Sequence, residues 1–143
     1  FSIPNSESFL ADIVFSPKNY FKILDNSISL RGMNFAFRNN PFENKKRFFP
    51  VDFQYPFQYQ STTEVAVADS VISFTLPEIL SFEIPGASFS RSCMYDGNRY
   101  IISSRLSIDK AAFSPSGYSQ LRDFFIKVAA ASEEAIILTR QSH

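Results

Sequence analysis

Ala87–Ile108, ASFSRSCMYDGNRYIISSRLSI, and Ser114–Thr139, SPSGYSQLRDFFIKVAAASEEAIILT, decide the fold. Together they read as strand, tight turn, strand, helix and strand. Asp96-Gly97-Asn98 separates two β-rich runs, Ala87 to Tyr95 and Arg99 to Ile108. An Asp-Gly pair suits a turn that needs positive φ, and a three-residue loop carries a bulge. In the first run Phe89, Cys93 and Tyr95 share a face. In the second, Tyr100, Ile102, Leu106 and Ile108 point inward, with Ile101, Ser103, Arg105 and Ser107 outward. Ser114 is the expected N-cap and Pro115 the first helical residue, where a missing N–H costs nothing. Phe113 and Tyr118 then occupy the two positions of a hydrophobic staple. Tyr118, Leu121, Phe125, Val128, Ala129 and Ser132 form one stripe at helical spacing, which needs a sheet beneath it. Glu133 and Glu134 oppose the dipole at the helix C-terminus, and Ala135 to Leu138 closes the unit as a strand.

Upstream, Ile79 to Ile84 alternates with Leu80, Phe82 and Ile84 on one face, before a Pro85-Gly86 turn. Glu64 to Ala68 and Val71 to Leu76 read as two strands joined at Asp69-Ser70, the second ended by Pro77. The most aromatic segment is Phe48 to Tyr59, where Phe53, Tyr55, Phe57 and Tyr59 keep a period of two on one strand face. Pro50 and Pro56 make this an edge strand or a bulged one. Such a face is either one side of a sandwich core or an aromatic platform for a sugar or peptide. A β-domain without Trp must fill its core with other large side chains, which favours the former. Nearer the start, Phe1 to Ser8 is polar and frayed, and Phe9 to Phe15 is a first strand. Tyr20 to Leu24 and Ile28 to Leu30 flank Asp25-Asn26-Ser27 as a hairpin. Met33 to Arg38 fits strand or helix, Asn39-Asn40-Pro41 is a turn, and Glu43 to Arg47 is a solvated loop. The three cations Lys45, Lys46 and Arg47 fall short of the longer basic runs of nucleic-acid or heparin patches.

The chain has 143 residues, the size of one domain spanning 1–143 and burying roughly two thirds of its unfolded surface. Fourteen basic and 14 acidic residues cancel, so net charge points to neither nucleic acid nor an anionic membrane. Seventeen Phe, six Tyr, four Gly and eight Pro favour many short strands over long helices. No apolar run approaches the roughly 20 residues of a membrane span. A start at Phe1, with no basic or apolar leader, is expected of a processed product or an excised domain.

Catalytic chemistry finds little support. His143 is the only histidine and the last residue, a poor place for acid–base work. Cys93, the only cysteine, sits within a strand and is expected to be a buried structural thiol without a His partner. There is no Cys pair, His pair or Asp-x-Asp-x-Asp run to hold a metal. Gly32, Gly86, Gly97 and Gly117 are isolated, so no phosphate loop is present. The acidic residues could include a hydrolase pair, which sequence cannot bring together.

Three segments carry a family resemblance. Arg47 to Pro56, RFFPVDFQYP, resembles an R-x-x-P-V-D-F-x-Y-P signature and follows Asn40-Pro41-Phe42 at an N-P-F position. Val71 to Pro85 is similar to a strand ending in Leu-Pro followed by a second ending in Pro. Ser104 to Ile108, Phe113-Ser114-Pro115, Tyr118, Leu121, Phe124-Phe125 and Ile136 to Leu138 resemble the corresponding C-terminal pattern. The likeness covers residues 40–140, with 1–39 matched only loosely. It is to the domain that follows the transglutaminase-like core in large exported proteins of Bacteroidetes. The resemblance implies that the Cys-His-Asp residues of such proteins belong to an upstream core, so none falls on this chain. It also implies an exported, periplasmic or cell-surface setting.

The expectation is thus a mainly β, antiparallel sandwich-like domain with one α-helix packed on it near the C-terminus. Its expected role is a non-catalytic accessory domain of a cell-envelope transglutaminase-like protein, partnered by upstream domains of the same polypeptide. A glycan- or peptide-binding module is the alternative. Phe48, Tyr55, Phe57 and Tyr59 are the candidate interaction surface. No cofactor, metal, nucleic-acid partner or membrane insertion is expected.

Overall fold

The computed structural model describes residues 21–31, 39–66 and 71–140. The expectations for Phe1 to Ser8, Phe9 to Phe15, Met33 to Arg38, Asp69-Ser70 and His143 lie outside the described residues. The elements in chain order are β1 (Phe21–Leu24), β2 (Ser27–Arg31), β3 (Val51–Asp52), β4 (Phe57–Ala66), β5 (Val71–Thr75), β6 (Leu80–Ile84), β7 (Ala87–Tyr95), β8 (Arg99–Ile108), β9 (Ala112–Phe113), α1 (Tyr118–Glu133) and β10 (Ala135–Arg140). A 3₁₀ turn, Pro115–Gly117, leads into α1. The strands form a main sheet β4-β8-β7-β6, a second sheet β1-β2-β10-β5 and the two-stranded β3-β9. Every pairing among them is antiparallel.

The β7–β8 hairpin has the expected bounds, running in register from Ala87 opposite Ile108 to Tyr95 opposite Tyr100. Asp96 fixes its turn: Oδ1 accepts from the backbone N–H groups of Asn98 and Arg99, each at 3.0 Å. Gly97 supplies φ +96° and Gly86, in the preceding β6–β7 turn, φ +87°. Both are conformations that a Cβ disfavours. The expected Asp25-Asn26-Ser27 hairpin is present as β1–β2, with Leu24 opposite Ser27.

The inner face of the main sheet is covered in two parts. Helix α1 lies over one, joining Phe89, Leu106, Ile108, Leu121, Phe124 and Phe125 in one core, with Leu80, Phe82 and Ile84 packed against it. At the other end Ile102 is buried, as are Ile136 and Leu138 of β10. There Phe74 of β5 stacks on Tyr100 of β8, ring centroids 4.0 Å apart and planes 13° apart. Between the two parts Arg91 faces Ser104 across β7–β8, and both are 2% exposed.

A buried arginine is tolerable only when its donors are matched. Here Nε donates to the Glu78 carbonyl at 2.7 Å, Nη1 donates to the Ala131 carbonyl at 2.8 Å, and Nη2 pairs with the Glu134 carboxylate. Glu134 also accepts from the Glu78 backbone N–H at 3.2 Å. The guanidinium therefore supplies a donor to a carbonyl in the last turn of α1, where intrahelical donors run out. It binds that turn to β7 and to the segment before β6. Glu134 was expected only to oppose the helix dipole; the structure instead makes it the counter-ion of Arg91.

Other expectations need correction. Ser114 makes no side-chain cap; its hydroxyl lies 2.9 Å from that of Ser116, and its carbonyl accepts the Gly117 N–H that closes the 3₁₀ turn. The buried stripe of α1 gains Phe124 and Ala131, while Ala129 is only half-buried. Phe124 packs on Phe82 and Phe125 on Phe42 and Phe53, so the helix buries a wider arc than a single stripe. Glu64 to Ala66 is the end of the ten-residue β4, not a separate strand beside β5, and β4 and β5 belong to different sheets.

Candidate functional site

The candidate residues lie between Phe42 and Tyr59, a stretch tied to the core at intervals. Phe42 is buried, with its ring edge-on to those of Phe53, Tyr118 and Phe125 at 6.3, 5.8 and 5.2 Å. Asn40 Oδ1 accepts the Phe42 N–H at 3.0 Å, so the expected turn is present as an Asx turn. Residues 43–50 are all exposed. The loop is braced at its base, where the Tyr118 hydroxyl donates to the Asn44 carbonyl at 2.7 Å. The chain is tied again at Val51, which is buried and pairs with Phe113 as β3 meets β9.

Beyond β3 the expected single strand breaks. Phe53 N–H donates to the Ala111 carbonyl at 2.8 Å, and Asp52 Oδ1 accepts the Gln54 N–H at 2.7 Å. Gln54 adopts φ +70°, so the backbone turns between Phe53 and Tyr55. Phe53, Tyr55, Phe57 and Tyr59 therefore do not share one continuous strand, since residues 53–56 lie between β3 and β4. Phe53 packs on Phe57, Phe113 and Phe125, and Phe57 is half-buried against the same core. Tyr55 is 64% exposed and Tyr59 45%. Tyr59 faces the inner side, opposite Leu106, but β4 is an edge strand of the main sheet among the described residues and leaves its ring partly uncovered.

Phe53, Tyr55, Phe57, Gln58 and Tyr59 line an open depression of about 420 Å³. It is a largely aromatic hollow with the amide of Gln58 at its rim, fit to receive an apolar side chain or a ring. As a flat platform it is poor: the Phe57 and Tyr59 rings meet at 83°. Phe57 is half-buried and lines the same depression as Tyr55 and Tyr59. Phe48 is not part of the depression; with Phe49 it projects from the preceding loop, the two being 87% and 77% exposed.

Elsewhere, Cys93 is half-buried and not the buried thiol that was expected, because Tyr95 and Met94 beside it at the hairpin end are exposed. Burial pushes its thiol pKa up, opposed by the charge of Arg91. At the hairpin tip Arg99 pairs with Glu64 at 2.6 Å and with Asp96 at 3.0 Å. Backbone N–H donation from Asn98, followed by the Arg99 contacts, holds the Asp96 carboxyl below its ordinary range. That is the setting of a turn-stabilising carboxylate, not a proton donor. Among the described residues no three His, Cys, Asp or Glu side chains group to hold a metal. No helix among them is long and apolar enough to cross a membrane.

Two features escaped the sequence reading. Arg91 shares the strand phase of Phe89 and Cys93, and that phase alone marked it as inward-facing. Phe49 was grouped with the aromatic strand, although it stands between three cations and a proline.

The fold resembles that of a "putative protease" from Parabacteroides distasonis, with a TM-score of 0.65 at 15% identity. The match covers 80% of this chain but only 24% of that one, so the fold is a fraction of the larger molecule. No curated protein matches the sequence. The family profile that does match runs over residues 25–138, starting earlier than the resemblance at residue 40. The chain belongs to DUF3858, a domain of unknown function with solved-structure representation.

Proposed function

We propose that this chain is a non-catalytic accessory domain that packs against a neighbouring domain of a longer, exported, cell-envelope polypeptide. The neighbour would be a transglutaminase-like core, with this domain following it. The observation that carries the reading is the aromatic hollow at residues 53–59, with Tyr55 and Tyr59 open to solvent on a firmly held base. Large apolar surface grouped at one place marks an interaction site more often than scattered exposure does. The related solved chain is about four times longer than the part matched, which suits a module built to sit beside other domains.

A direct test is activity. The isolated chain should show no transamidation or peptidase activity above background, and Cys93→Ser should change nothing. A thiol-dependent activity lost in that variant would contradict the reading. A glycan- or peptide-binding module would use the same hollow, with Tyr55 and Tyr59 as its exposed rings. Saturable binding of a soluble oligosaccharide or peptide, abolished by Tyr55→Ser, would favour it.

A further inference from the structure

We propose that the loop of residues 43–50 is a contact site for an anionic phospholipid surface, separate from the aromatic hollow. Its sequence is Glu43-Asn44-Lys45-Lys46-Arg47-Phe48-Phe49-Pro50. Taken alone, the three cations describe a solvated loop. The structure adds that the two phenylalanines after them are also in water, at 87% and 77% exposure. This is a held protrusion: Phe42 is wedged among three aromatic rings, Tyr118 bonds to Asn44, and Val51 is paired with Phe113. The core thus presents an exposed loop in which three cations, preceded by Glu43, run directly into two aromatic side chains, with Pro50 stiffening its exit.

That chemistry fits a bilayer surface better than a protein pocket. Adjacent side chains diverge, so one protein hollow rarely receives both Phe48 and Phe49, whereas a headgroup region surrounds both. Lys is depleted at protein–protein interfaces, while cations near an anionic leaflet each gain attraction. Phe side chains bury at the boundary of headgroups and acyl chains, and a lone apolar anchor needs a basic patch beside it for stable binding. No segment need cross the bilayer. Because the net charge of the chain is zero, attraction does not arise from the charge of the molecule as a whole.

The test is sedimentation of the chain with vesicles of phosphatidylcholine alone and with 30% phosphatidylglycerol, at low and physiological salt. Binding should appear on the anionic vesicles, weaken with salt and be at least tenfold weaker on neutral ones. The triple variant Lys45→Gln, Lys46→Gln, Arg47→Gln should lose about a hundredfold, from roughly fivefold per removed cation. Phe48→Ser with Phe49→Ser should lose about tenfold or more, with an unchanged thermal melt showing that the fold is intact. Tyr55→Ser with Tyr59→Ser should bind like the wild type. Equal binding to neutral and anionic vesicles, or loop variants that bind as the wild type does, would overturn the proposal. So would loss on changing the tyrosines. Failure here would leave the docking role of the hollow standing, since that role uses other side chains.

Discussion

Phe42, Phe53 and Phe57 on one hand, and Phe48, Phe49, Tyr55 and Tyr59 on the other, come from the same short stretch and have opposite fates. The first group packs ring against ring on the core under α1, Phe42 buried and Phe53 and Phe57 half-buried. In the second, Phe48, Phe49 and Tyr55 stand in solvent and Tyr59 is partly uncovered. The difference follows from where the backbone is tied. The pairing of β3 with β9 and the Phe53 N–H bond to Ala111 draw residues 51–53 inward. The positive φ of Gln54 then turns Tyr55 away. Aromatic content alone thus says little about core or surface; backbone anchoring decides it.

Substitutions should separate the two groups sharply. Phe125→Ala, in the fully buried ring that meets Phe42, Phe53 and Phe124, is expected to cost about 3–5 kcal/mol in chemical denaturation. A cost below about 1 kcal/mol would mean the aromatic core is not built as described. Arg91→Ala should approach that loss, about 3 kcal/mol, because two carbonyls and a carboxylate lose their donor. Glu134→Gln, which keeps an acceptor for Arg91, should cost only about 1 kcal/mol. At the far end of the scale, Phe48→Ser, Phe49→Ser and Tyr55→Ser should each lie within about 0.5 kcal/mol of the wild type.

The smallest effect concerns acid. The carboxyl of Asp96 is held below its unfolded range by Asn98 and Arg99. Its contribution is therefore present above the ordinary Asp pKa of about 3.9 and lost as pH falls through the lowered folded value. A melting-temperature profile should show Asp96→Asn reducing the wild type's decline at acid pH. Identical acid limbs would mean that the turn contacts carry no linkage.

Much of the fold was legible in the sequence because local signals agreed with one another. Asp96-Gly97 and Pro85-Gly86 set the turns, and alternation in Leu80 to Ile84 and Tyr100 to Ile108 set the faces. The helix and its C-terminal end followed from the 3.6 spacing, but its start did not: Pro115–Gly117 is a 3₁₀ turn and α1 begins at Tyr118. The candidate site was only half legible. A period of two survives in Phe53, Tyr55, Phe57 and Tyr59 whether or not the strand is continuous. No residue type at Gln54 announces the break, and only the Asp52 turn bond and the long-range tie to Ala111 create it. Likewise Arg91 has the phase of a core residue but the chemistry of a surface one. Its partners, Glu78, Ala131 and Glu134, are 13 to 43 residues away.

The central claim is that Tyr55 and Tyr59 are exposed in the isolated domain because they serve an interface and not the fold. Hydroxyl-radical footprinting of these two rings, in the isolated chain and in the longer polypeptide proposed for it, tests this most directly. The account predicts high labelling of both in the isolated chain and several-fold protection of both in the longer one. Phe124 and Phe125, both buried away from the hollow, should be protected equally in each. Equal labelling of Tyr55 and Tyr59 in the two proteins would contradict it.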